Sequence, residues 1–177
     1  ASATAVAGQP FTVTWAVRNS GTGPTFATWN DQVLISSVAG TVAGATALRS
    51  ASSLRGLAPG ESYTNVALVT IPVSTSFPTG SYFLVLHADA NNSQPERVEG
   101  NNLASQAIVL RLPPLPDLLA TSVSSVSNAA PGQTISVVWN TTNAGSVTAS
   151  SPWTETVRLV AGTNLDQSLL ASAATLS

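Results

Sequence analysis

The densest run of oxygen-bearing side chains lies at residues 88–102, ADANNSQPERVEGNN, where the sequence comes nearest to metal or acid–base chemistry. It holds Asp89, Glu96 and Glu99, three of the chain's eight acids, with Asn91, Asn92, Asn101 and Asn102 among them. Oxygen-only donors suit Ca2+, which takes about six to eight of them, and Asp89, Asn91, Glu96 and Glu99 are the candidate ligands. The spacing is not that of an EF-hand loop, because no Gly falls at the sixth place and no Glu at the twelfth. The competing reading, which is preferred, is a hairpin connection whose Asn and Asp side chains bond local backbone groups. Glu96 and Glu99 are also the one carboxylate pair worth testing as glycosidase acids. They sit in a loop without a neighbouring aromatic platform, and nothing in the sequence marks either as buried.

The remaining chemistry is sparse. With no Cys, the chain has no disulfide scaffold, no thiolate zinc site and no thiol nucleophile. Its one His, His87, falls on the face opposite Leu86 in a strand-like alternation and is expected to face solvent, without partners for a triad. Gly21-Thr22-Gly23-Pro24 precedes no helix and has no Lys, so it is no phosphate cradle. Asn91-Asn92-Ser93 and Asn140-Thr141-Thr142 fit the three-residue glycosylation pattern, which carries meaning only on a eukaryotic secretory route. A net charge of −2 excludes a basic nucleic-acid footprint. No apolar run approaches the roughly 20 residues of a membrane-spanning helix, and no leader-type segment opens the sequence. Catalysis and a resident cofactor are therefore not expected, calcium being the exception to test. The first residue is not Met, which reads as an excerpt of something longer.

The elements that must carry these residues are strands. Only 8% of residues are charged against roughly 25% in ordinary soluble domains, yet 44% are hydrophobic, which argues against disorder. Residues 10–19 alternate, placing Phe11, Val13, Trp15 and Val17 on one face and Thr12, Thr14, Ala16 and Arg18 on the other. Further strands are predicted at 31–36, 46–54, 61–71, 81–88 and 104–112, separated by Asn-Ser-Gly, Ala-Pro-Gly, Pro-Thr-Gly and Glu-Gly-Asn turns. This spacing predicts an all-β, antiparallel β-sandwich.

The sequence also repeats. GQPFTVTWAVRNSG at 8–21 returns as GQTISVVWNTTNAG at 132–145, and the same ungapped offset of 124 residues pairs Trp29 with Trp153. The register divides the chain into residues 1–112, a Pro-rich linker at 113–116, and residues 117–177. It predicts that the first copy lacks its opening strand, whose counterpart is 116–123, and that the second stops about halfway. A sheet missing a strand exposes an edge, so residues 116–127 are a candidate to fill part of the first copy's gap. Trp15, Trp29, Tyr82, Trp139 and Trp153 are the predicted core residues. Trp29 and Trp153 have a second reading as sugar-stacking platforms, with the fold position preferred.

Pro116-Asp117-Leu118, the Asn-x-Gly turns at 19–21 and 143–145, Ala58-Pro59-Gly60-Glu61-Ser62-Tyr63, Gly80-Ser81-Tyr82, Asp89 and Glu99-Gly100-Asn101-Asn102 stand in one order. In that order they resemble the bacterial cell-adhesion-related domain family, CARDB. The resemblance covers nearly the whole chain. It implies an immunoglobulin-like sandwich of seven strands, strung in tandem in large secreted or surface proteins of bacteria and archaea. It further implies a non-catalytic adhesion or spacer role, an extracellular location, and partners that are neighbouring repeats and a cell-surface protein or glycan. The rival expectation is a carbohydrate- or calcium-binding module using the 88–102 loop.

Overall fold

Alternating Val, Thr and aromatic residues between Gly- and Pro-marked turns give strands and no α-helix among the described residues of the computed structural model. These are residues 3–26, 28–53, 55–150 and 152–160, with the backbone of 168–176. In order they form β1 (Ala3–Val6), β2 (Pro10–Arg18), β3 (Asn30–Ser36), β4 (Thr46–Ser52), β5 (Ser62–Thr70), β6 (Gly80–His87) and β7 (Leu103–Arg111). A second group follows, β8 (Leu118–Ser125), β9 (Val137–Asn143), β10 (Trp153–Val160) and β11 (Ser168–Leu176). The six strands expected within the first 112 residues are all present, each within two residues of its expected ends.

Residues 1–113 form one compact unit and 114–177 another. The first is an immunoglobulin-like β-sandwich. A five-stranded sheet in the order β1-β7-β6-β3-β4 faces the two-stranded ladder β2-β5. β1 was not foreseen: it is four residues long and pairs in parallel with β7, Ala3 beside Ile108 and Val6 beside Arg111. The turn after it needs a left-handed residue, and Gly8 supplies it at φ 79°. Gly132 repeats this at φ 80° in the second unit.

The apolar centre is aliphatic. Ala5, Ala7, Ile35, Ile71, Ile108 and Leu110 make one buried cluster, flanked by Phe11, Leu48, Phe77, Tyr82, Leu84 and Leu112. Trp15 and Trp29 are buried, but they lie outside that cluster, Trp15 bonded to the Asp31 carboxylate and Trp29 to the Tyr63 hydroxyl. Tyr82 is only half-buried: its ring meets Phe77 edge-on while its hydroxyl donates to the Pro78 carbonyl at 3.1 Å. The fully buried residue of β6 is Val85, on the opposite face and paired with buried Leu34. His87 is half-buried, not solvent-facing, because β6 is a central strand between β3 and β7.

Unit two consists of two ribbons, β8-β9 and β10-β11. None of its described residues is buried. Trp139, expected in a core, is 36% exposed, and Trp153 is half-buried. A ribbon of two strands has one ladder and no facing layer to cover its apolar side. The segment 116–127 does not fill the gap beside β2. Its strand, β8, pairs with β9, so the expectation that it would close the first copy is overturned.

Trp15→Ala is expected to cost about 3–5 kcal/mol in guanidinium unfolding, whereas the equivalent Trp139→Ala is expected to cost less than about 1 kcal/mol. Equal shifts in the unfolding midpoint would contradict this division of the tryptophans.

Candidate functional site

Asp31 lies at the start of β3 with its side chain in the space between the sheets and no exposure to solvent. The indole N–H of Trp15, on β2, donates to Asp31 Oδ2 at 2.9 Å. The Tyr63 hydroxyl, on β5, donates to the same oxygen at 2.5 Å, and the Trp29 indole donates to the Tyr63 oxygen at 3.1 Å. One carboxylate oxygen thus ties both strands of the small sheet to the large one. The Trp29 and Tyr63 rings stand 6.1 Å apart and tilted by 39°, so the polar chain runs along packed aromatic faces. Burial, followed by the bond to Asp31, pushes the Tyr63 phenol well above its ordinary value of 10.0. Asp31 Oδ1 is buried and no protein donor reaches it.

The second unit carries the same arrangement at the matching positions. Glu155 stands 124 residues after Asp31; its Oε2 accepts from the Trp139 indole and its Oε1 accepts from the Trp153 indole at 3.3 Å. The extra methylene of Glu lets one carboxylate span both indoles, where Asp31 reaches Trp29 only through Tyr63. These bonds, with Trp139 first, then Thr141 and Trp153, hold the Glu155 carboxyl below its ordinary value. Asp31 and Tyr63 were not singled out from the sequence as functional residues. The signal was present, since the offset that pairs the tryptophans also pairs the two acids.

The loop at 88–102 forms one wall of a surface cleft of about 520 Å3 at one end of unit one, within the range of small-ligand sites. Arg18 to Phe26 form the other wall, and Trp29 and Leu57 line it too. Phe26 is 79% exposed there. The loop holds itself: Asp89 Oδ1 accepts from the Ser93 amide at 3.0 Å and Oδ2 from the Gln94 amide at 2.9 Å. Asp89 and Asn92 adopt φ 47° and 46°, the left-handed turn conformation that Asn and Asp tolerate. Asn91 Oδ1 accepts from the Asn30 amide and Gln94 Oε1 from the Phe26 amide, both at 2.9 Å, fastening this loop to the β2–β3 connection.

Of the four calcium candidates, Asp89 and Glu96 line the cleft, while Asn91 turns to Asn30 and Glu99 Oε1 accepts from the Glu96 amide at 2.9 Å. Among the described residues, no three of His, Asp and Glu gather as a metal would require. Trp29 is 4% exposed, too deep to serve as a sugar platform; the exposed aromatic of the cleft is Phe26.

A family model described as CARDB matches residues 1–106. Among solved structures, the chain is similar to the CARDB domain of the PF1109 protein of Pyrococcus furiosus, determined in complex with di-metal ions. The two share 18% identity over 62% of this chain and 81% of that one, with a TM-score of 0.46. No curated protein matches the chain.

The folded chain is expected to keep Tyr63 protonated well above pH 10. Because the unfolded phenol ionises near 10, stability is full below that pH and declines as pH rises beyond it. In a Tyr82→Phe background, tyrosinate absorbance is expected to appear only together with unfolding. Absorbance rising near pH 10 while the sandwich stays folded would contradict the bond to Asp31.

Proposed function

The chain belongs to the CARDB family of adhesion-related or structural modules, and we propose that it is a non-catalytic, extracellular repeat of a larger bacterial or archaeal surface or secreted protein. Neighbouring repeats are its constant partners, and a cell-surface glycan or protein is its ligand. The observation that carries this reading is the commitment of its carboxylates. Asp31 is sealed between sheets and bonded to a phenol and an indole, and Asp89 is bonded to backbone amides. Both acids maintain a shape, and neither is placed to attack a substrate. The return of the indole–carboxylate arrangement at Glu155 supports the same view, since a feature present at matching positions of both units belongs to the scaffold.

The cleft beside Phe26 supplies the surface for recognition. Its two walls are fastened by side chain-to-backbone bonds, so the shape is preformed and little ordering cost falls on binding. The rival reading, a calcium-binding module on the same loop, draws support from Asp89 and Glu96 sharing that cleft.

Millimolar calcium is expected to leave the thermal midpoint of the chain unmoved, because Asp89 already satisfies both oxygens. A rise in midpoint that Asp89→Asn removes would favour the calcium module instead. On a glycan array, Phe26→Ala is expected to abolish any binding while leaving the unfolding midpoint unchanged; retained binding would move the ligand away from this cleft.

A further inference from the structure

The strand edges of unit one are guarded unequally. The five-stranded sheet ends in β1 and β4. β1 is four residues long, while β4 carries exposed Arg49 and a bulge where its pairing shifts between Val33 and Leu34 of β3. A short strand, a bulge and a charge each discourage pairing with another chain. The β5 edge of the small sheet has none of these. Ser62–Thr70 runs for nine residues without charge, Pro or Gly. It keeps one unbroken register with β2, from Arg18–Ser62 to Pro10–Thr70.

The ladder shows which groups that edge offers. The Asn19 amide donates to the Glu61 carbonyl at 2.9 Å, so the odd-numbered residues of β5 turn their backbone groups toward β2. Ser62, Thr64, Val66, Leu68 and Thr70 turn theirs the other way, where no strand pairs with them among the described residues. Their side chains all stand on the exposed outer face, with Val66 64% and Leu68 66% exposed side by side. Unit two shows where a further strand enters. The Ala144 amide donates to the Asp117 carbonyl at 2.7 Å, and its match, Ser20, follows Asn19 and points away from β5. A strand arriving as β8 does would therefore lie beside β2 and leave β5 at the edge.

We propose that β5 pairs antiparallel with β5 of a second copy of this chain, about a twofold axis at Ala67. The sequence itself selects that partner. Outward residues on either side of Ala67 read Thr64, Val66, Leu68, Thr70, hydroxyl-apolar-apolar-hydroxyl in both directions. An antiparallel copy therefore sets Val66 opposite Leu68 and Thr64 opposite Thr70, apolar on apolar and hydroxyl on hydroxyl. An axis at Val66 would instead set Leu68 against Thr64. A strand without charge also meets no like charge in its own image. Backbone groups exchange water for one another at little net gain, so covering Val66 and Leu68 supplies the favourable part. The product is one four-stranded sheet, β2-β5-β5-β2, and the contact closes on itself as a symmetric dimer. No residue of β5 lines the cleft, so the contact stands apart from whatever ligand the cleft binds.

The chain has no Cys, so a single introduced thiol can link only to another copy. At the axis Ala67 faces itself across a non-hydrogen-bonded position, where Cα atoms lie about 4.5 Å apart and within disulfide reach. On mild oxidation, Ala67→Cys is expected to give a linked dimer and no larger species on a non-reducing gel. Thr64→Cys, which faces Thr70, is expected to stay unlinked. Sedimentation of the unaltered chain is expected to show a dimer that grows with concentration. Val66→Lys, on the exposed face, is expected to abolish that dimer while leaving the circular dichroism spectrum unchanged. Three results would overturn the proposal: a chain that sediments as a monomer at every concentration reached, a dimer that survives Val66→Lys, or a Thr64→Cys variant that links as readily as Ala67→Cys.

Discussion

Everything in unit one is arranged around a single buried oxygen. Asp31 Oδ2 sits between two layers, and it takes two donors from the opposite sheet. A carboxylate removed from water is costly unless charge-assisted bonds compensate it. The sequence meets that condition at Oδ2 with the largest side chains it has. Trp15 and Tyr63 each bring an apolar body for the interior and one polar atom for the acid, and Trp29 extends the line to the loop that precedes β3. The same groups fix how β2 and β5 sit over β3, because any slip of a strand by one residue would turn its donor away from the acid. Aliphatic packing closes the other end of the sandwich, where Ile35, Ile71 and Leu110 need only fill space.

A low charge count fits this economy. The first sheet carries Ser and Thr on exposed positions, which solvate well without ions, and the one close ion pair among the described residues, Arg55 with Glu61 at 2.5 Å, braces a turn on the surface. That turn and the Asp89 loop use acids in the same manner: Glu61 Oε2 accepts from the Ala58 amide and Asp89 from Ser93 and Gln94. Both are carboxylates that replace missing backbone acceptors at places where the chain reverses. Acids in such positions resemble ligand sets on paper, which is why 88–102 reads as a metal loop until the amides around it are seen.

Strand positions were legible because period-two alternation and turn residues are local signals, and 10–18, 30–36 and 80–87 fell where those signals put them. β1 was not legible: four residues, two of them Ala, show too little alternation to stand out. Faces were legible in part. Trp15 was placed correctly by its neighbours Val13 and Val17, but β6 is a central strand with both faces covered, so alternation alone could not choose between Tyr82 and Val85. Trp139 shows the limit most clearly. Its local sequence matches that of Trp15, and its exposure differs because burial depends on a facing layer that no local pattern encodes. The cleft was half legible, since 88–102 stood out by composition, while the opposite wall and exposed Phe26 come from a distant part of the chain. The Asp31 node was recoverable only by asking which non-aromatic positions also matched at the repeat offset.

The parallel pairing of β1 with β7 bears on how unit one would carry tension. Among the described strands of unit one β1 is the first and β7 the last, and parallel strands leave the sheet at opposite ends. Tension applied at the N-terminal end of β1 and the C-terminal end of β7 therefore pulls along the ladder, not across it. The four register pairs from Ala3–Ile108 to Val6–Arg111, and the Ala7 amide bonded to Arg111, take the load together instead of opening one after another. A tether built of such units would yield in shear, holding its length until a whole short clamp lets go at once.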